Sequence, residues 1–126
     1  MNIHHLLLVG AGGFVGSALR YQISLAFFHR IGNGFPVGTL IVNLVGSLLI
    51  GILLSGAVKS SQSWTLLLVS GFCGGFTTFS TFAIENIKLI ENGNWNISIV
   101  YLITSLLGGL ALCLLGYFGL QFILKE

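Results

Sequence analysis

The chain has 126 residues, 55% of them hydrophobic and 6% charged, with a mean hydropathy of +1.00. Soluble domains carry about 25% charged residues, so this inventory cannot cover a water-exposed surface. Five scattered Lys and Arg residues form no basic patch for nucleic acid, and the apolar excess excludes a disordered segment. What remains is a polytopic membrane protein.

Four long apolar runs stand out, at about 6–28, 35–58, 64–90 and 97–123. Each exceeds the ~20 residues that cross the hydrocarbon core as a helix. The expected fold is therefore all-α, a single bundle of four transmembrane helices joined by short polar separators. The first run could pass for a secretory leader. Met1–His5 contains no Lys or Arg, however, and three further runs follow, so it reads as the first membrane helix.

Within that first run Gly12 and Gly16 form GxxxG, a spacing that lets helix backbones approach closely in lipid. Arg20 follows one turn later, about eight residues or ~12 Å from the end of the run. A charge inside a span is a functional candidate. The alternative is a side chain that snorkels to the interface.

The second run carries Asn43, with Ser47 one turn on and Gly51 and Ser55 continuing a small-residue seam. Asn43 reads either as interhelical glue or as a hydrogen-bond donor for a permeating species.

The third run is the most unusual. Its centre reads Gly71-Phe72-Cys73-Gly74-Gly75-Phe76-Thr77-Thr78-Phe79-Ser80-Thr81-Phe82. Adjacent glycines each cost about 1 kcal/mol of helix propensity, and hydroxyls just after them compete for backbone partners. Two readings stand side by side. The helix breaks at Gly74–Gly75 and frees carbonyls for a cation, or it continues unbroken and the glycines receive a neighbour's side chain. Phe76, Phe79 and Phe82 recur every third residue, which puts them on one slowly turning helix face. They are packing residues, or rings whose electropositive edges line an anion's route beside Thr77, Thr78, Ser80 and Thr81. Glu85 lies late in this run, toward the same side of the membrane as Arg20. The two suggest a vestibule pair or an electropositive mouth.

The fourth run aligns Tyr101, Ser105 and Gly109 on one face, donor-rich and free of carboxylates. That stripe suits an anion better than a cation. Trp64 and Trp95 sit at span ends, where indoles favour the interface. Cys73 and Cys113 lie in apolar runs without close spacing, and read as free thiols.

Lys59 and Lys125 fall on one side of the membrane, and Arg20, Arg30 and Lys88 on the other. Orientation follows this bias. So even a balance permits insertion both ways, and with it an antiparallel homodimer. A mid-span break in such a dimer would meet its own copy at a two-fold axis.

Three motifs carry a resemblance: Gly12–Tyr21 (GGFVGSALRY), Gly38–Ser47 (GTLIVNLVGS) and the third-run stretch Gly71–Phe82. Together they resemble the CrcB/Fluc fluoride channel family over essentially the whole chain. The resemblance implies a passive fluoride-selective channel that exports fluoride across the cell membrane and relieves its toxicity. It also implies a dual-topology antiparallel homodimer in the lipid bilayer, with a broken third helix. A structural sodium ion, not transported, would sit at the dimer interface on the backbone carbonyls of Gly74 and Thr77. The pore would use Asn43, Phe79, Phe82, Tyr101 and Ser105, with the hydroxyls of Thr78, Ser80 and Thr81 alongside, and Arg20 in the vestibule. Where some members carry a second polar residue beyond the serine, this chain has Gly109. No enzymatic activity and no nucleic-acid partner are expected. A proton-coupled drug exporter of similar size would need a central buried carboxylate, and Glu85 is off-centre. A non-transporting scaffold would leave the Thr/Ser-Phe cluster idle.

Overall fold

The computed structural model describes residues 2–28, 34–57 and 61–125. Arg30 and Lys59, two of the five bases in the orientation count, lie outside them. Among the described residues there are helices and no strands, and four helical stretches are long and apolar enough to cross a membrane: Ile3–Phe27, Val37–Gly56, Gln62–Glu91 and Trp95–Ile123.

The first span is one α-helix, Ile3–Phe28. The second begins at Val37 behind Pro36, whose carbonyl accepts from the Leu40 amide at 3.1 Å. Proline has no amide to lose where the first helical amides are unpaired anyway. After Ile52 this span widens into π-helical turns over Leu53–Ala57.

The third span is the least regular. One α turn, Gln62–Trp64, passes into π-helical turns over Thr65–Cys73 and returns to α over Gly74–Phe76. The backbone is then extended at Thr77 (φ −85°, ψ 158°) and Thr78 (φ −150°, ψ 119°) before Phe79–Glu91 coils again. Both glycines of the pair are thus helical, and the non-helical residues come just after them. Glycine's missing Cβ serves packing here: a Cβ on Gly75 would run into the backbone of Gly13. The extended step falls instead on two β-branched, hydroxyl-bearing residues: Thr77 still bonds back to the Cys73 carbonyl, and the Thr78 backbone finds its partner on the second span.

A left-handed Gly93 (φ 75°) closes the third span, with the Asn94 amide bonded to the Leu89 carbonyl at 2.8 Å and the Gly93 amide to Ile90 at 2.9 Å. This paired cap turns the chain at once into the fourth span, Trp95–Ile123. Its 29 residues extend roughly 43 Å, longer than a ~30 Å hydrocarbon core, so tilt is expected.

Packing pairs the spans by parallel partners. First and third meet where a Cβ on Gly12 would strike the Leu67 carbonyl and one on Gly16 the Phe72 carbonyl. Second and fourth meet the same way, Gly51 against Cys113 and Gly116 against Leu48 and Ile52. The small-residue seam of the fourth span therefore runs through Gly116, beyond the expected Ser105 and Gly109. Among the described residues the buried apolar ones are few: Val42, Cys73, Phe76, Phe82, Leu89 and Tyr101. Most other large apolar side chains point outward, as a lipid-facing surface requires.

Candidate functional site

The extended step leaves backbone groups that a helix would have paired among themselves, and in lipid each needs a partner. Asn43, facing the step from the second span, supplies two. Its Oδ1 accepts from the Thr78 amide at 2.8 Å and its Nδ2 donates to the Thr78 carbonyl at 3.0 Å. The carboxamide thereby pairs with one residue as a neighbouring strand would. Ser47, one turn on, anchors this arrangement by donating to the Asn43 carbonyl at 2.7 Å.

Thr78 also starts the second arm of the third span. Its Oγ1 accepts from the Thr81 amide at 3.2 Å and donates to Thr81 Oγ1 at 3.0 Å, with Ser80 Oγ 3.4 Å away. A hydroxyl at this position is a favoured helix N-cap. The amides of Thr78 and Thr81 are those that a continuous α-helix would give to the carbonyls of Gly74 and Thr77. Here they go to Asn43 and to the Thr78 hydroxyl, which releases both carbonyls. Cys73 keeps its carbonyl occupied by the Thr77 amide at 3.0 Å and the Thr77 hydroxyl at 2.9 Å. Among the described residues no three His, Cys, Asp or Glu side chains come together.

Beside the step lies a cavity of about 240 Å³, lined by Asn43, Ser47, Thr77, Thr78, Phe79, Phe82, Ser105 and Leu106. The second, third and fourth spans each contribute. Both polar atoms of the Asn43 side chain are committed to Thr78. Ser105 differs: its Oγ is buried and has no hydrogen-bond partner among the described residues. Ser80, Thr81 and Tyr101 are not part of this lining.

The three phenylalanines do not share one face. Phe76 stays before the step, stacked on Phe72 at 5.5 Å between centroids. Beyond the step, Phe79 is 76% exposed and Phe82 only 6%, with their rings 5.7 Å apart. The extended residues between Phe76 and Phe79 undo the every-third-residue register that a continuous helix would impose.

Phe82 leads to Tyr101, whose ring meets it edge-on at 5.0 Å and is fully buried. The Tyr101 hydroxyl donates to Glu85 Oε2 at 2.7 Å, and Thr39 donates to Glu85 Oε1 at 2.8 Å. Glu85 and Thr39 in turn line a second cavity of about 330 Å³, shared with Ser24, Phe35, Lys88 and Asn94. The aromatic pair thus links residues of the two cavities: Phe82 lines the first, and Tyr101 bonds to Glu85, which lines the second. One turn along, buried Asn86 donates to the Phe82 carbonyl at 2.8 Å and accepts from Ser98 at 2.9 Å.

Arg20 and Glu85 do not pair. Arg20 Nε donates to the Gly75 carbonyl at 3.0 Å, while both Glu85 oxygens take hydroxyls. The close first–third approach directs Arg20 toward the backbone step, and Glu85 faces the second and fourth spans. Thr39, Asn86 and Ser98 were not singled out from sequence. For Asn86 a signal existed, an amide one turn beyond Phe82 and next to Glu85.

Comparison with known proteins settles the family. The family model described as "CrcB-like protein, Camphor Resistance (CrcB)" matches residues 7–117. The chain belongs to the CrcB family. Curated relatives agree along nearly their whole lengths. A protein of Chlorobium phaeobacteroides named "Fluoride-specific ion channel FluC" is 50% identical over 119 residues, 92% of this chain and 90% of the relative. Proteins with that name from Chloroflexus aurantiacus, 42% identical over 117 residues (90% of this chain, 93% of the relative), and Azobacteroides pseudotrichonymphae, 38% over 120 (93% and 96%), also match. The CrcB match, residues 7–117, spans the extended step and every residue that lines the two cavities.

Proposed function

We propose that the chain is a passive fluoride channel that lets fluoride leave the cell down its gradient across the cell membrane. The supporting observation is the 240 Å³ cavity beside the extended step, in a chain half identical to a protein named as a fluoride-specific channel. Fluoride is small and strongly hydrated, so passage needs donors that replace water without holding the ion too firmly. Ser105 offers a buried hydroxyl with no protein partner. Phe79 and Phe82 offer ring edges, which attract an anion without a fixed charge to trap it. The hydroxyls of Thr78, Ser80 and Thr81 are bonded among themselves and present a polar flank. Between the cavities the Tyr101 hydroxyl must exchange its Glu85 acceptor for the passing ion.

The working unit in this reading is an antiparallel homodimer of dual topology, with the third helix broken at Thr77–Thr78. Gly74 and Phe79 are exposed on the single chain. A second copy inverted about an axis in the membrane plane would bring the two steps together. The backbone carbonyls of Gly74 and Thr77 would then hold a structural sodium ion, a role their lost helical donors suit. When bound, that ion supplies a fixed positive field at the centre of the dimer. The chain's own part is to keep those carbonyls turned out, which Asn43 does by holding Thr78.

The test is fluoride efflux from proteoliposomes containing the full chain, read with a fluoride electrode and a potassium ionophore for charge balance. Fluoride is expected to leave while chloride stays. Retained fluoride, or chloride passing as readily, would overturn the reading.

A further inference from the structure

Arg20 stands one helical turn beyond Gly16, on the same face of the first span. Gly16 is where that span touches the backbone of Phe72 and Phe76, so the close approach delivers the Arg20 side chain to the level of Gly75. There its Nε donates to the Gly75 carbonyl at 3.0 Å. In an α-helix continued past Phe76 that carbonyl would receive the Phe79 amide. With Thr77 and Thr78 extended the ladder is interrupted, and a side chain from 55 residues earlier supplies the donor.

The carbonyls around the step are thereby sorted. Cys73 is taken by Thr77, Gly75 by Arg20 and Thr78 by Asn43. Gly74 and Thr77 have lost the amides a helix would give them, and so has Phe76, which a continuous helix would pair with the Ser80 amide. Two spans therefore clamp the step, the second through an amide and the first through a guanidinium.

We infer that Arg20 is a positioning residue of the third span: its Nε–H bond occupies the Gly75 carbonyl, holds the step in register against the first span, and leaves Gly74 and Thr77 as the carbonyls turned out for a cation. The last clause rests on the sodium reading proposed above. The bond itself does not. In this assignment the hydrogen bond matters in its own right, apart from any attraction the charge exerts on anions at the mouth.

Because Nε makes the contact, the two contributions can be separated by substitution. The amide nitrogen of glutamine is the same number of bonds from Cα as arginine Nε, so Arg20→Gln keeps the donor and removes the charge. Arg20→Met keeps the stem and removes both, and Arg20→Lys keeps the charge but moves the donor one atom outward. The full-length variants are purified, their thermal midpoints measured in detergent, and fluoride efflux from proteoliposomes followed against sodium concentration. R20M is expected to lose about tenfold in efflux at every fluoride concentration and to need several-fold more sodium for half-maximal efflux, the loss of a charge-assisted bond to a buried carbonyl. R20Q should restore the wild-type sodium midpoint and most of the efflux, and should restore more than R20K. If R20K restores function and R20Q does not, charge is what counts and the assignment falls; it falls equally if R20M matches wild type. Should R20M fail to fold, the comparison of R20Q with R20K decides alone. A wild type indifferent to sodium would remove the sodium reading only, and a wild type that passes no fluoride would remove the channel reading only. In either case a thermal midpoint of R20Q above that of R20K supports the clamp, and the reverse order overturns it.

Discussion

The two arms of the third span are held in different ways. Before the step, residues 67–76 lie backbone to backbone on the first span, and Gly12, Gly16, Gly71 and Gly75 leave no room for side chains between them. After the step, Phe79–Glu91 is held by side-chain hydrogen bonds: Glu85 to Thr39 and Tyr101, Asn86 to Ser98. Contact of the first kind depends on steric fit and has no tolerance for an added methyl group. The second kind is specific but adaptable, because hydroxyls and carboxylates rotate. A rigid arm next to an adjustable one places the extended step at the boundary, where Asn43 and Arg20 grip it.

That contrast breaks most visibly on the packed side. Gly16→Val should abolish recovery of monodisperse protein in detergent, because its Cβ would collide with the Phe72 carbonyl and approach the Phe76 amide, neither of which moves without parting the helices. Overpacking costs about 1–3 kcal/mol even where neighbours yield. Gly109→Ala is the control, since its Cβ would sit 3.4 Å from the rotatable Ser47 hydroxyl; size-exclusion profiles should be unchanged.

At the boundary, Asn43→Leu removes both partners of Thr78. Each buried polar group left unpaired costs about 1–3 kcal/mol. The expected result is a folded but less stable protein whose fluoride efflux drops by about a hundredfold. Asn43→Asp retains the acceptor and loses the donor, so it should fall between the two. Equal efflux in all three would mean that Asn43 does not hold the step.

On the adjustable side smaller effects are expected. Glu85→Gln leaves one acceptor for the two hydroxyls of Thr39 and Tyr101, and should lower stability by about 1–2 kcal/mol, less than Glu85→Leu. Weakest of all is the Asn86–Ser98 contact. A double-mutant cycle with alanine at both should give a coupling near 0.6 kcal/mol, typical of interhelical bonds, with efflux within about twofold of wild type. A coupling several times larger would show that this arm, too, is rigidly specified.

Much of this was legible from composition and local pattern. Run lengths predicted four helical stretches, GxxxG predicted a close approach in the first span, and the run of Gly, Thr and Ser drew attention to the middle of the third. The details left open were relational. For Gly74–Gly75 helix propensity left open a break or an unbroken helix packed on a neighbour; Gly75 lies flat against Gly13, and the extended residues are Thr77 and Thr78. Phe76 falls in a row with Phe79 and Phe82 only where helical periodicity runs through all three, and the extended Thr77 and Thr78 interrupt it. Opposite charges toward one side of the membrane left Arg20 and Glu85 open to a vestibule pair or an electropositive mouth, and the hydrogen bonds remove the pair.

By itself the sequence determined the membrane class, the number of spans and the family, since these depend on sums and motifs that any window of the chain contains. Only the tertiary structure decided which atoms satisfy which. Asn43 reaches Thr78 across 35 residues and Arg20 reaches Gly75 across 55. A backbone carbonyl has no partner to seek until the helix around it is interrupted, and where that happens depends on the neighbouring helices. Partner choice at such a step is therefore a property of the assembled bundle, with no local pattern to announce it.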